Sequence, residues 1–140
     1  MSDADIRQGV GEVLVRYATG IDRRDWALFR TCFTDDVEAD YGDIGRWGDA
    51  TSLTAWMEAS HEPLGHTLHR ITNVAISPSP AGATARCYVD AILVAADNQT
   101  GMRAVGYYDD ELVCTDQGWR IARRRFTQVL LQRDVAVTAL

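Results

Sequence analysis

Asp22 and His69 are the two side chains whose types and positions best suit proton transfer. Asp22 ends the run Tyr17-Ala18-Thr19-Gly20-Ile21-Asp22, in line with Leu14 and Ala18 at four-residue spacing, so on a helix its carboxylate shares the apolar stripe. A carboxylate there needs a cation, a hydrogen-bond donor or a proton. His69, 47 residues later in the strand-like segment Leu68-His69-Arg70-Ile71-Thr72-Asn73-Val74, is the best candidate partner. Paired, Asp22 would bond one ring nitrogen and fix the tautomer, and the other nitrogen would take a proton from a substrate. The alternatives are a surface cap or an ion pair with Arg23 or Arg24 for Asp22, and a satisfied structural role for His69.

The other polar residues narrow the chemistry. His61 and His66 flank a turn, and His66 and His69 are three apart, which on a strand puts them on opposite faces and argues against a shared metal. No other His, Cys, Asp or Glu grouping has ligand spacing, so no metal and no cofactor is implied. Cys32, Cys87 and Cys114 are odd in number and sit in apolar surroundings, as reduced core thiols do. Trp26, Phe29, Phe33, Trp47 and Trp56 read as core, with any of them able to line an apolar pocket. Tyr88 with Asp90, and Tyr108 with Asp110, share strand faces and could supply polar pocket groups; cross-strand pairing explains them equally well.

Helices come first in the chain. Ile6, Val10, Val13, Leu14, Tyr17, Ala18 and Ile21 give residues 3–21 one buried face, which Gly20 and the charged residues after it loosen at the end. Asp25 stands as the N-cap of a short second helix from Trp26 to Cys32. Val37 to Tyr41 and Ile44 to Trp47 read as short strands about the turn Gly42-Asp43, and a third helix runs from about Ser52 to Ser60 before Pro63 and Gly65. Four long strands follow, Thr67 to Ile76, Ala83 to Asp97, Met102 to Thr115 and Trp119 to Leu131. The short turns between them predict an antiparallel meander. Helices followed by such a sheet are an α+β architecture, expected as one domain over residues 1–140.

Composition excludes several classes. A net charge of −6 argues against nucleic acid, and Arg123-Arg124-Arg125 would divide between two strand faces rather than form a stripe. With 46% hydrophobic and 24% charged residues and no apolar run of membrane length, the expectation is a soluble protein without a membrane partner. The acidic start Met1-Ser2-Asp3-Ala4-Asp5 has no targeting core, which predicts a cytoplasmic location.

Taken together, these segments resemble the SnoaL-like branch of the nuclear-transport-factor-2-like superfamily over nearly the whole chain. The likeness is carried by Tyr17-Ala18-Thr19-Gly20-Ile21-Asp22, by Trp26 to Phe33, by His66-Thr67-Leu68-His69-Arg70-Ile71-Thr72-Asn73, and by Gly106-Tyr107-Tyr108-Asp109-Asp110-Glu111-Leu112 leading into Gly118-Trp119-Arg120-Ile121. It implies a cone-shaped barrel, with N-terminal helices packed in the concave face of a curved, mostly antiparallel sheet. It also implies a deep pocket and a homodimer. The dehydrochlorinase, scytalone dehydratase and bile-acid dehydratase types of this superfamily carry an acid–histidine dyad, and Asp22 and His69 fall where it is expected. The resemblance adds Tyr17 as a catalytic tyrosine and, more loosely, Arg124 as a basic group for developing negative charge. Ketosteroid isomerases and limonene-epoxide hydrolases place their acids elsewhere, and no equivalent of those sets stands in this chain.

The functional expectation is a cofactor-independent lyase of the dehydratase kind, or an isomerase, acting on a small hydrophobic cyclic substrate. The catalytic set is Asp22, His69, Tyr17 and Arg124, and the substrate-binding set is Phe29, Phe33, Trp47, Trp56, Tyr88 and Tyr108. Two alternatives stand beside it: a non-catalytic ligand-binding or dimerisation module, and a polyketide-type cyclase.

Overall fold

The structure, a computed structural model, describes residues 1–137. Helix α1 spans Asp3–Asp22 and opens on a capping box, in which the Ser2 hydroxyl accepts the Asp5 backbone N–H at 3.1 Å and the Asp5 carboxylate accepts that of Ser2 at 3.1 Å. Asp25 caps α2, Trp26–Arg30, as its position after α1 predicts. Asp49 accepts the Ser52 N–H at 2.7 Å and so starts α3, Ala50–His61, two residues before the expected Ser52.

Six strands follow the order β2-β1-β6-β5-β4-β3: β1 Phe33–Asp40, β2 Arg46–Trp47, β3 Leu64–Ser79, β4 Gly82–Ala95, β5 Thr100–Thr115 and β6 Gly118–Ala136. From β3 to β6 they form the expected antiparallel meander. The α+β expectation holds, with the sheet open between edge strands β2 and β3 rather than closed into a barrel. Strand β1 begins four residues earlier than Val37 and pairs with β6 in parallel, a long-range pairing that period-two alternation cannot reveal. The expected strand from Ile44 shrinks to Arg46–Trp47, because Gly42, at φ +63°, starts a 3-10 turn through Ile44.

Helix α1 lies across the inner face of the sheet with Val10, Val13, Leu14, Tyr17, Ala18 and Ile21 buried. The inward residues of β4, Ala83, Ala85, Cys87, Val89 and Ala91, are mostly small and are buried in the same core. Gly20 does not loosen α1. It remains helical, and a Cβ there would come within 2.9 Å of the Phe29 backbone nitrogen, so the absent side chain lets α2 pack against the end of α1. Among the described residues no helix is long and apolar enough to cross a membrane. Cys32 and Cys87 are buried as expected, but Cys114 is exposed near the end of β5 and is not a core thiol.

Candidate active site

The last turn of α1 and the start of β3 bring Asp22 and His69 together. Asp22 Oδ1 accepts His69 Nδ1 at 2.8 Å, and Oδ2 accepts the His69 backbone N–H at 2.8 Å. Thr67 Oγ1 donates a third bond to Oδ1 at 3.0 Å. Thr67 in turn accepts Arg24 Nη1 at 2.8 Å, while the same guanidinium donates to Ile21 O and Gly65 O. Arg24, in the left-handed conformation at φ 57°, therefore clamps the helix end to the strand and reaches Asp22 only through Thr67. The surface ion pair considered for Asp22 does not form: its side chain is half-buried and its acceptor sites are taken by β3.

A carboxylate only accepts, so Nδ1 of His69 carries a proton, and in the neutral ring Nε2 keeps the lone pair. Burial pushes the Asp22 carboxyl up, but the bonds from the His69 ring, the His69 backbone and Thr67, with the attraction of the ring in its protonated form, outweigh it and hold its pKa below the ordinary value. Asp22 thus stays ionised at neutral pH.

A cavity of about 130 Å³ lies on the other side of His69. An engineered apolar cavity of roughly 150 Å³ holds one benzene, so this space suits a single six-membered ring. His69 borders it and Asp22 does not. The walls are largely apolar, with Val89, Ala91 and Leu93 of β4, Ala104 of β5, Phe126 of β6 and Trp56 and Met57 of α3. Tyr17, Tyr41 and Tyr108 contribute hydroxyls that meet at 2.8 Å (Tyr17 to Tyr41) and 3.3 Å (Tyr17 to Tyr108). Burial raises the pKa of all three, so they remain protonated hydrogen-bond donors.

Beneath the tyrosines lies Arg124. Its guanidinium stacks 4.2 Å from the Tyr17 ring centre and 3.8 Å from that of Tyr108, and forks onto Asp110 with two bonds of 2.8 Å. Both side chains are fully enclosed. Arg124 accordingly does not border the cavity as expected of a group that meets a substrate; its partner across the strand pair is Asp110, and the tyrosine rings screen it.

The aromatic expectations divide. Tyr17, Trp56 and Tyr108 border the cavity. Phe29 and Phe33 do not: they are sealed in the core, with ring centres 5.3 and 6.0 Å from Tyr17, and they support that ring from behind. Trp47 stacks behind Trp56 at 4.7 Å and Tyr41 at 5.8 Å. Tyr88 is displaced altogether, 49% exposed on the outer face of β4, because strand alternation sends Cys87 and Val89 inward. Besides the aliphatic wall and Phe126, three polar cavity residues, Tyr41, His61 and Gln128, have no place in the sequence-based set. Tyr41 follows β1 beside Gly42. His61 follows Leu53 and Met57 at four-residue spacing on the buried stripe of α3, a signal present in the sequence but obscured by the adjacent turn. Among the described residues no three His, Cys, Asp or Glu side chains converge as a metal would need.

This arrangement, helices over an open antiparallel sheet with an acid–histidine pair beside a cavity, is that of a known domain class. The SnoaL-like domain matches residues 2–125, and the chain belongs to that family, within the nuclear-transport-factor-2-like superfamily. An uncharacterised Mycobacterium tuberculosis protein, Rv2910c, is 28% identical over 121 residues, covering 84% of this chain and 82% of its own. Among solved structures, a protein of Novosphingobium aromaticivorans provisionally named a scytalone dehydratase superposes with TM-score 0.85 at 20% identity, covering 99% of this chain and 95% of that one. A type 2 hexachlorocyclohexane dehydrochlorinase (LinA) does so with TM-score 0.78 at 14% identity, over 96% and 92%. At these identities the structural likenesses establish the fold.

Proposed function

We propose that the protein is a lyase of the dehydratase kind, or an isomerase, that takes a proton from a single-ring hydrophobic substrate. His69 is the base and Asp22 its orienting partner. The observation that carries this reading is the placement of the pair: Asp22 holds Nδ1 from outside the cavity, and the ring it holds borders the cavity. Nε2 is then the nitrogen left for a substrate C–H, within reach of general-base catalysis. Removal of that proton beside a ring carbonyl leaves negative charge on oxygen, which the buried tyrosine hydroxyls, Tyr17 first, stabilise by hydrogen bonding. With their pKa values raised they donate hydrogen bonds rather than protons. In an elimination the proton held on His69 leaves with the departing hydroxyl as water; in an isomerisation it returns to another ring carbon. Neither course needs a cofactor.

A rival reading has a specific observation behind it. The bond from the His69 backbone to Asp22 would serve equally in a latch between α1 and β3 with no chemistry. Conversion of 3-hydroxycyclohexanone to cyclohex-2-enone and water separates the two. The catalytic reading expects turnover that is lost in His69→Gln while the fold and ring binding persist; equal rates for the two proteins leave only the latch.

We place the protein in the cytoplasm, consistent with its unpaired cysteines, and as a homodimer. The outer sheet face supports the dimer with Leu68, Tyr88 and Leu130 exposed at 58%, 49% and 45%. Light scattering behind size exclusion, giving twice the 15.5 kDa chain mass, tests it.

A further inference from the structure

His61 is the second imidazole on the cavity wall, and the proton-transfer chemistry above does not use it. Its ring lies 6.0 Å from that of His69 and 5.9 Å from Trp26, and the residue is 6% exposed at the end of α3. Nδ1 sits 2.8 Å from the Met57 carbonyl oxygen, with the Ser60 hydroxyl at 3.1 Å. Ser60 spends its own proton on that carbonyl at 3.0 Å. A carbonyl only accepts, so Nδ1 bears the ring proton and Nε2 is left with a lone pair. That Nε2 is enclosed and has no partner among the described residues.

A buried acceptor without a donor is uncommon in a folded protein and calls for a physical explanation. We propose that His61 determines specificity: its Nε2 accepts the hydroxyl of a single-ring phenol or cyclic alcohol held in the cavity beside His69. The cavity size sets the one-ring limit, and the acceptor sets the hydroxyl. In a largely apolar wall, whose other polar groups are His69, Gln128 and the three tyrosine hydroxyls, an enclosed acceptor at His61 discriminates between ligands, because one lacking the donor leaves the nitrogen unpaired while one bearing it gains a bond. Burial also lowers the pKa of His61, which keeps the lone pair free at neutral pH. The tyrosine hydroxyls already bond one another, and His69 Nε2 is the nitrogen assigned to the substrate C–H, so the enclosed acceptor at His61 is the one assigned to a ligand hydroxyl. The proposal rests on the cavity being the ligand site but not on turnover.

Phenol and toluene, nearly the same shape, test it by NMR titration and calorimetry. The ratio of their affinities in the native protein is expected to fall about tenfold, against phenol, in His61→Phe and to be largely kept in His61→Gln, which retains an acceptor. In the unaltered protein the His61 Nε2 resonance is expected to move with phenol and stay with toluene, a readout that needs no folded variant. An unchanged ratio in His61→Phe, a ratio that falls instead in His69→Phe or Tyr41→Phe, or an unmoved Nε2 resonance overturns the assignment to His61 while leaving the cavity intact. Failure of both ligands to perturb His69, Tyr41 or His61 removes the cavity as a ligand site, and the proposed function with it.

Discussion

Replacing Asp22 by Asn changes one atom and tests the geometry of the pair. The carboxylate accepts three bonds, at 2.8 Å from the His69 backbone, 2.8 Å from Nδ1 and 3.0 Å from Thr67. An amide has one acceptor oxygen, and the backbone N–H cannot change its role. The oxygen must therefore face the His69 backbone, which turns the NH₂ toward Nδ1. Two donors cannot face each other, so the imidazole shifts its proton to Nε2 and loses the lone pair on the cavity side. Hydrogen bonds to a charged acceptor contribute about 1.5–3 kcal/mol each; with the Asp22 side chain 20% exposed and one or two bonds lost, the variant is expected to unfold about 2 kcal/mol more easily in urea. The tautomer is read directly from the His69 ring nitrogens by long-range ¹H–¹⁵N NMR, with no substrate present. Proton on Nδ1 in the native protein and on Nε2 in Asp22→Asn is the expected pair of spectra. An unchanged tautomer would mean that Asp22 does not set it, and the reasoning would be refuted. Proton abstraction should fall by about 10²–10⁴-fold, the usual contribution of a positioned base.

Other perturbations follow from neighbouring contacts. Asp110→Asn and Arg124→Met, each leaving one half of an enclosed ion pair, should cost about 3–5 kcal/mol by chemical denaturation. Stability should fall in two acid steps. The first begins below the ordinary His value of 6.5, because folded His61 resists the proton that the unfolded chain accepts, and it is complete once pH passes below the lowered folded value; His61→Gln should flatten it. The second lies below the ordinary Asp value of 3.8, where Asp22, with Asp5, Asp40, Asp49 and Asp90, contributes less as pH falls through its own lowered value, and Asp22→Asn should reduce it. Iodoacetamide should label Cys114 alone in the folded protein and all three cysteines in urea, since burial raises Cys32 to about 12 and Cys87 to about 11.

Much of this architecture was legible because local chemistry and tertiary structure agree. The stripe from Val10 to Ile21 specifies α1, Asp25 caps α2, and short turns join the meander. Asp22 stood out because its helical spacing put an acid among apolar residues, and the strand character around His69 gave it a partner. Less was readable where the outcome depends on pairing at long range. Nothing local in Phe33–Asp40 signals a parallel neighbour, and Arg124 looked available until Asp110 and two tyrosine rings closed around it. Tyr88 failed for a simpler reason: the phase of β4 is set by its small inward residues, and it places that aromatic outside. Arg24 and His61 owe their positions to a left-handed turn and a helix end, features fixed by backbone conformation rather than by residue pattern.

The central claim, that His69 is a base presented to a one-ring cavity with Asp22 behind it, is met most directly by solvent deuterium exchange into the carbon positions beside the carbonyl of cyclohexanone, followed by NMR. That measurement detects proton abstraction without requiring a leaving group. Exchange well above the buffer rate in the native protein, abolished in His69→Gln and reduced by about 10²-fold or more in Asp22→Asn, is the predicted result. Exchange that survives unchanged in His69→Gln, or a native rate equal to buffer although cyclohexanone binds in the cavity, would contradict it.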